Sequence, residues 1–288
     1  MPSGAAPAPE PGSSLVAVRG TTQGLNAPLA VDNPRPELAW SVTSSLPGTA
    51  VTAAEVEVRD AERTAEPIWT HGTETGGVAA LTYGGPPLAA KHRYAWRVRV
   101  RDAAGEWSGW SPDFRFGTGM LLDQDWSGAA WISQKDWVAN RGEPAPGGTV
   151  LGLPLLRTNF SVTKPIANAT LYVSGLGAYA ASINGKPAGT IALGSGSTKY
   201  DKLSYYDGID VTSAVQAGQN AVGIALGQGT LNGLHTWATP ENRGAWDGIL
   251  RTKALLQVTY ADGTAQPIPT NTSWTAIQGP SLPGVLTL

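Results

Sequence analysis

The chain has no cysteine among its 288 residues. That excludes disulfides, thiolate metal sites and cysteine nucleophiles, and it leaves the compartment open. Histidine is scarce as well, with three in all. His71, His92 and His235 stand far apart and form neither an HExxH nor a His-x-His pair, which argues against zinc. No cluster of five or more lysines and arginines occurs, and the formal net charge is −2. Nothing therefore favours a phosphate backbone, and no nucleic-acid partner is expected. No apolar run approaches the roughly 20 residues of a membrane span, so no membrane partner is expected either. The opening MPSGAAPAPEPGSS lacks the basic-then-apolar pattern of a secretion signal. Residues 1–14 read as a flexible Ala/Pro tail.

Glycine (36), proline (22) and tryptophan (11) are abundant. Gly and Pro punctuate often and the apolar runs between them are short, which favours many strands over long helices. A first domain is expected over 15–119. Its strand signals are LVAVR, PELAWSV, AAEVEVRD, PIWTHG, RYAWRVRVRD and DFRFGTG. In YAWRVRVRD, Tyr94, Trp96, Val98 and Val100 share one face, while Arg97, Arg99 and Arg101 share the other. The turn DAAGEW leads into Trp107-Ser108-Gly109-Trp110-Ser111, whose indoles can interleave with the arginines as a cation–π stack. Arg97, Arg99, Trp107 and Trp110 are read as structural rather than as a binding surface. His71 and His92 are read as loop residues.

A second domain is expected over 120–288. Lys135 to Gly152 reads as a long loop. Strand signals follow in PLLRTNFSV, NATLYVSGLGAYAASINGKPAG, NAVGIALGQG, KALLQVTYADGTAQPIP and SWTAIQG. Asn184-Gly185 and Asp262-Gly263 are two-residue hairpin signals. Asp210-Val211-Thr212 reads as the cap of a helical turn. Gly227-Gln228-Gly229 lacks the third glycine and following helix of a nucleotide-binding turn, so its glycines are read as permitting a sharp exit from a strand. The expected fold is all-β, a fibronectin-III-like sandwich followed by a jelly-roll sandwich.

The segments LLRTNFSV, LYVSGLGAYAASINGKPAG, YYDGIDVTSAVQAGQNAVGIALGQG and DGTAQPIPTNTSWTAIQGP occur in that order. Together they resemble the N-terminal β-domain of bacterial α-L-rhamnosidases, glycoside hydrolase family 78. Asn33 to Trp40, Tyr94 to Val98 and Phe116 to Gly119 resemble the fibronectin-III-like module that precedes it. The resemblance implies a non-catalytic region whose parent enzyme carries its chemistry in a downstream (α/α)6 barrel. It also implies the role of a family-67-like carbohydrate-binding module, in which a calcium ion helps to hold rhamnose. Under that implication Asp201 and an asparagine in the later loop, Asn232 or Asn242, would serve the ion, although Lys202 follows Asp201 where calcium-binding members have asparagine. A rhamnose-containing glycan and the downstream catalytic domain are the expected partners. A secreted or extracellular location is expected, with a cytoplasmic one as the alternative.

The stretch LNGLHTWATPENRGAW, residues 231–246, carries the richest mix of polar and aromatic groups. It reads as a loop between two edge strands. Trp237 and Trp246 have the apolar faces to stack on a sugar, and Asn232, Glu241, Asn242 and Arg243 the groups to bond its hydroxyls. Packing of the same loop against a neighbouring domain carries equal weight. Glycoside hydrolysis needs two carboxyls about 5 to 10 Å apart. Asp201, Glu241 and Asp247 are the acids that an enzyme acting in its own right would use. A purely structural module, for instance of a rhamnose–uronate lyase, is a third reading.

Overall fold

The computed structural model describes residues 13–62, 66–74, 79–140, 151–189, 194, 196, 198–229, 231 and 249–280, with the backbone alone at 139 and 140. The expected tail over 1–14 therefore lies almost wholly outside the described residues. The chain divides into two compact units, Met1–Thr118 and Gly119–Leu288.

The first unit holds strands β1 (Leu15–Thr22), β2 (Glu37–Ser44), β3 (Val51–Asp60), β4 (Pro67–Thr73), β5 (Ala80–Thr82), β6 (Arg93–Asp102) and β7 (Phe114–Gly117). They form two antiparallel sheets, β1-β2-β5 and β4-β3-β6-β7. Alternation along β6 sends Tyr94, Trp96, Val98 and Val100 into a core shared with Leu38, Val56, Val58 and Phe116. The Trp96 Nε1–H is satisfied there by Thr22 Oγ1 at 3.1 Å. The strand signals missed β5, which is only three residues long. The reading of His71 as a loop residue is overturned, because it lies on β4 and stacks on Trp69 at 5.4 Å.

On the outward face of β6 the arginine row alternates with indoles. The Arg97 guanidinium lies 4.5 Å from the Trp110 ring. Arg99 sits 4.8 Å from Trp110 and 4.9 Å from Trp107, and Arg101 lies 5.5 Å from Trp107. On the other side Glu57 and Glu55, directly opposite on β3, bind Arg97 and Arg99. The two Trp-Ser pairs are held by backbone geometry. Ser108 N–H donates to Val100 O, and Ser108 Oγ accepts from Val100 N–H at 3.0 Å. Ser111 repeats the pattern on Val98. Each serine thus locks one tryptophan at the period of the arginines.

The second unit opens with a 3-10 turn at Asp123–Trp126 and a short helix, α1 (Lys135–Asn140). The single long loop expected from Lys135 is corrected by that helix, whose Trp137 is fully buried and donates Nε1–H to Gly152 O at 3.0 Å. Strands β8 (Pro154–Val162), β9 (Ile166–Leu176), β10 (Ala178–Ile183), β11 (Lys186–Pro187), β12 (Asp207–Asp210), β13 (Gly218–Gly227), β14 (Arg251–Tyr260), β15 (Ala265–Pro269) and β16 (Thr275–Gln278) follow. They make a five-stranded sheet, β11-β10-β13-β8-β16, and a four-stranded sheet, β12-β9-β14-β15. Leu156, Ile183, Ile224 and Leu226 of one sheet meet Leu171, Val173, Leu256 and Val258 of the other in one buried cluster.

Asn184 and Gly185, with φ of 53° and 77°, make the two-residue turn between β10 and β11. The Asn184 amide also ties that turn to Ala214 O and Asn220 Oδ1. Asp262 takes the turn between β14 and β15, accepting from Thr264 N–H at 3.0 Å. The expected helical turn at Asp210 is smaller than a capped helix. Asp210 Oδ1 accepts from Thr212 N–H, and one 3-10 turn, Thr212–Ala214, follows with no side-chain cap. Among the described residues no helix is long and apolar enough to cross a membrane.

One titratable device sits in the first unit. The buried His92 ring holds two carboxylates, Asp60 Oδ1 at 2.7 Å from Nε2 and Glu62 Oε2 at 2.9 Å from Nδ1. Its backbone pairs with Thr118, and its ring meets Tyr94 edge-on. Burial pushes the imidazolium's pKa down, but the hydrogen bonds and charges of Glu62 and Asp60 outweigh it and raise the value above 6.5. A raised folded value contributes stability that is fully present below 6.5 and is lost as pH rises through the folded value. The unfolding midpoint of the first unit should therefore fall as pH rises from about 6.5 into the alkaline range. His92→Gln should flatten that slope; a wild-type profile with no slope, or a slope that survives in the variant, contradicts the assignment.

Candidate functional site

The stretch proposed to meet a ligand is rooted at one corner of the second sandwich. At that corner the chain changes sheets twice. It passes from β9 to β10 through the single residue Gly177, and it leaves β13 to re-enter at β14. The reading of 231–246 as a loop between edge strands is corrected. β13 is paired by β10 and β8, and β14 by β9 and β15, so both are interior strands of opposite sheets. Gly177 has φ +98°, and a Cβ there would lie 2.4 Å from Gly227 O. Gly229, with φ +49°, approaches Ala178 N so closely that a Cβ would sit at 2.9 Å. These glycines let the chain exit sharply, and Leu231 and Leu250 close the roots as buried side chains.

Asp201 lies in the segment that precedes β12. Antiparallel pairing sets Asp207 opposite Val173, so residues before Asp207 run beside the C-terminal end of β9. Ser174 Oγ donates to Tyr205 O at 2.7 Å, and the buried Tyr179 hydroxyl donates to Asp207. Burial, then the Asp207 hydrogen bond and charge, push the Tyr179 hydroxyl far above its ordinary range, so it stays a donor. The Asp201 segment and the roots of the 231–246 stretch therefore share one end of the sandwich. Asn232, Trp237, Glu241, Asn242 and Trp246, like His235, Arg243 and Asp247, lie outside the described residues.

The Asp201 carboxylate is 44 % exposed, and the Lys202 ammonium stands 4.0 Å away. Among the described residues, an exposed carboxylate facing a cation does not by itself supply the six to eight oxygen ligands that calcium needs. Among the described residues no group of three or more His, Asp or Glu could hold a metal ion. A glycosidase acid needs a raised pKa. Among the described residues, Asp136 is held below the usual carboxylate range by the Gln134 and Gln278 amides, and Asp262 by Lys164 and Thr264. Asp125, one of the two acids at the start of the unit, caps the chain by accepting from Leu121 N–H and Leu122 N–H.

A second feature escaped the reading of the sequence. The outward face of the five-stranded sheet is a trough of about 810 Å³. Cross-strand register builds it in two rows. One row is Ala180, Ala225, Leu155 and Ile277; the next is Ser182, Gly223, Arg157 and Thr275. Small residues on β10 and β13 form the floor. Leu155 and Arg157 on β8, with Ile277 on β16, form one wall, and Pro187 on β11 stands at the other. The signal was present in AYAASI and VGIALG, whose outward positions are all Ala, Ser or Gly.

Residues 17–122 match the family described as "Rha78A-like, N-terminal immunoglobulin domain", and residues 164–285 match the "Alpha-L-rhamnosidase N-terminal domain" family. An α-L-rhamnosidase of Formosa agariphila is 27 % identical over 271 residues, covering 88 % of this chain and 28 % of that protein. One from Alteromonas sp. strain LOR is 29 % identical, covering 89 % and 28 %. The chain thus spans little more than a quarter of the length of these relatives. Among solved structures, an α-L-rhamnosidase from Dictyoglumus thermophilum is similar with a TM-score of 0.78 at 26 % identity, over 94 % of this chain and 30 % of that one. One from Aspergillus terreus, at 24 % identity and a TM-score of 0.80 over 94 % and 30 %, shares the fold.

The corner is the structural premise of the site, and it can be tested. Gly177→Ala should destabilise the second unit by about 2–4 kcal/mol, since it combines a left-handed φ with a backbone clash. Gly227→Ala, whose Cβ would meet only ordinary contacts at 3.7 Å, should change little. Denaturant midpoints of the two variants check this, and equal midpoints would remove the corner from the account.

Proposed function

The chain carries the paired N-terminal domains of the α-L-rhamnosidase family, glycoside hydrolase family 78, and on that premise we propose that it is a non-catalytic accessory region of such an enzyme. Its work is to brace the catalytic part of the polypeptide. The observation that carries this reading is the coverage: both matched families are N-terminal domains, and they fill most of the chain while the chain fills 28 % of its relatives. The fold agrees. The longest helix among the described residues has six residues, so they hold nothing like a helical barrel.

Glycan holding is the second reading, and one observation favours it. The Asp201 segment and the roots of the aromatic-rich 231–246 stretch issue from the same end of the sandwich. Asp201, Trp237, Trp246, Asn232, Glu241 and Asn242 are the residues that would meet a rhamnose-containing glycan there, stacking on its apolar face and bonding its hydroxyls. Lys202 in place of a second oxygen ligand favours recognition without calcium. A secreted parent acting on external glycans fits both readings.

Two measurements test the proposal. The purified chain should release no p-nitrophenol from p-nitrophenyl α-L-rhamnoside above the buffer rate; turnover that disappears in Asp201→Ala would make it an enzyme. Calorimetry with L-rhamnose, with and without calcium, should show heat in both conditions if the glycan reading holds. Absence of heat and of thermal protection in both conditions leaves bracing as the whole function.

A further inference from the structure

We propose that the outward face of the five-stranded sheet, uncovered among the described residues, is the docking surface for the polypeptide that follows this chain in the longer protein, received as an apolar segment carrying one carboxylate. The inference rests on the accessory reading and names its contact face. Three observations carry it.

The first is the contrast between the two sheets. The outward side chains Tyr172 and Leu255 of the four-stranded sheet are buried. Tyr206 meets both Tyr172 and Trp126, and the Lys253 ammonium lies 4.6 Å from the Trp126 ring. The segment just before the sandwich is stitched on through Ala130 N–H to Thr270 O and a bridge between Ile132 and Thr252. The chain entering the sandwich thus helps to close one outward face. The other face carries Ile277 at 57 % exposed and an open apolar trough.

The second is where the chain leaves. Among the described residues β16 is the last strand and the edge of the five-stranded sheet, and its Thr275 and Ile277 form the trough's rim. Polypeptide continuing past Gly279 begins beside the face it would cover. In the relatives roughly 70 % of the length lies outside the matched part. The third is chemical. Among the described residues no aromatic ring lines the trough, so they offer a sugar nothing to stack on. Its floor of Ala, Ser and Gly admits the bulky side chains of a packed segment. Arg157, at the wall, forms no ion pair among the described residues, and a carboxylate on the incoming segment would meet it.

Site-specific photocrosslinking in the full natural reading frame tests this. p-Benzoylphenylalanine is placed at Thr275 and, separately, at Pro187, with Ser161 on the same sheet as a control. Irradiation and mass spectrometry should map crosslinks from 275 and 187, and not from 161, to peptides C-terminal to residue 288. Ala180→Glu, an exposed position on the floor, should lower that yield about tenfold by burying an unpaired charge. Crosslinks to a second copy, crosslinks confined to residues 1–288, or a frame with nothing after the sandwich would overturn the docking. The rhamnoside assay on the chain alone reads the accessory proposal separately, so failure of one is distinguishable from failure of the other.

Discussion

Strand alternation is the constraint from which the rest follows. A strand has two faces, and in each of the two sandwiches one face of every sheet is committed to the core. What differs is how the outward face is settled. On β6 it is settled by interleaved arginine and tryptophan, with glutamates on the facing strand. On the four-stranded sheet of the second unit it is settled by Trp126 and Tyr206 from flanking chain. On the five-stranded sheet it is left as a trough of small apolar residues. Of these three sheets, two have a finished outward surface and the third is left open among the described residues.

Loops inherit their positions from that layering. Passing between sheets requires a corner, and the corner at Gly177 tolerates no side chain. Once the chain turns there, both crossings must lie side by side, which sets the roots of the 231–246 stretch next to the end of β9. Tyr179 and Ser174 then draw the Asp201 segment to the same end. The candidate binding end is thus a consequence of strand order, with polar groups of the core acting as tethers.

Much of this was legible in the sequence because it is local. YAWRVRVRD shows its two faces by period alone, and Asn184-Gly185 and Asp262-Gly263 specify their turns by residue type. Features that depend on tertiary pairing were not legible. β5 has three residues and exists only because β2 offers an edge. The short helix at Lys135 is held by the burial of Trp137 and not by a helical period. His92 gives no local sign that Asp60 and Glu62, thirty residues away, will clamp its ring. Interior and edge strands look alike in one dimension, so sequence alone does not reveal that the 231–246 stretch joins two interior strands. The trough did leave a trace, a run of Ala, Ser and Gly at outward positions, but small residues on a strand do not by themselves say which face they serve.

The central claim is that the second sandwich presents one apolar outward face to solvent when the chain stands alone. Binding of 1-anilinonaphthalene-8-sulfonate to the folded chain reads that face directly. The account predicts enhanced fluorescence under native conditions that Ala180→Glu and Ile277→Asp each abolish without changing the unfolding midpoint. Native protein that leaves the dye dark, or fluorescence indifferent to both substitutions, would contradict it.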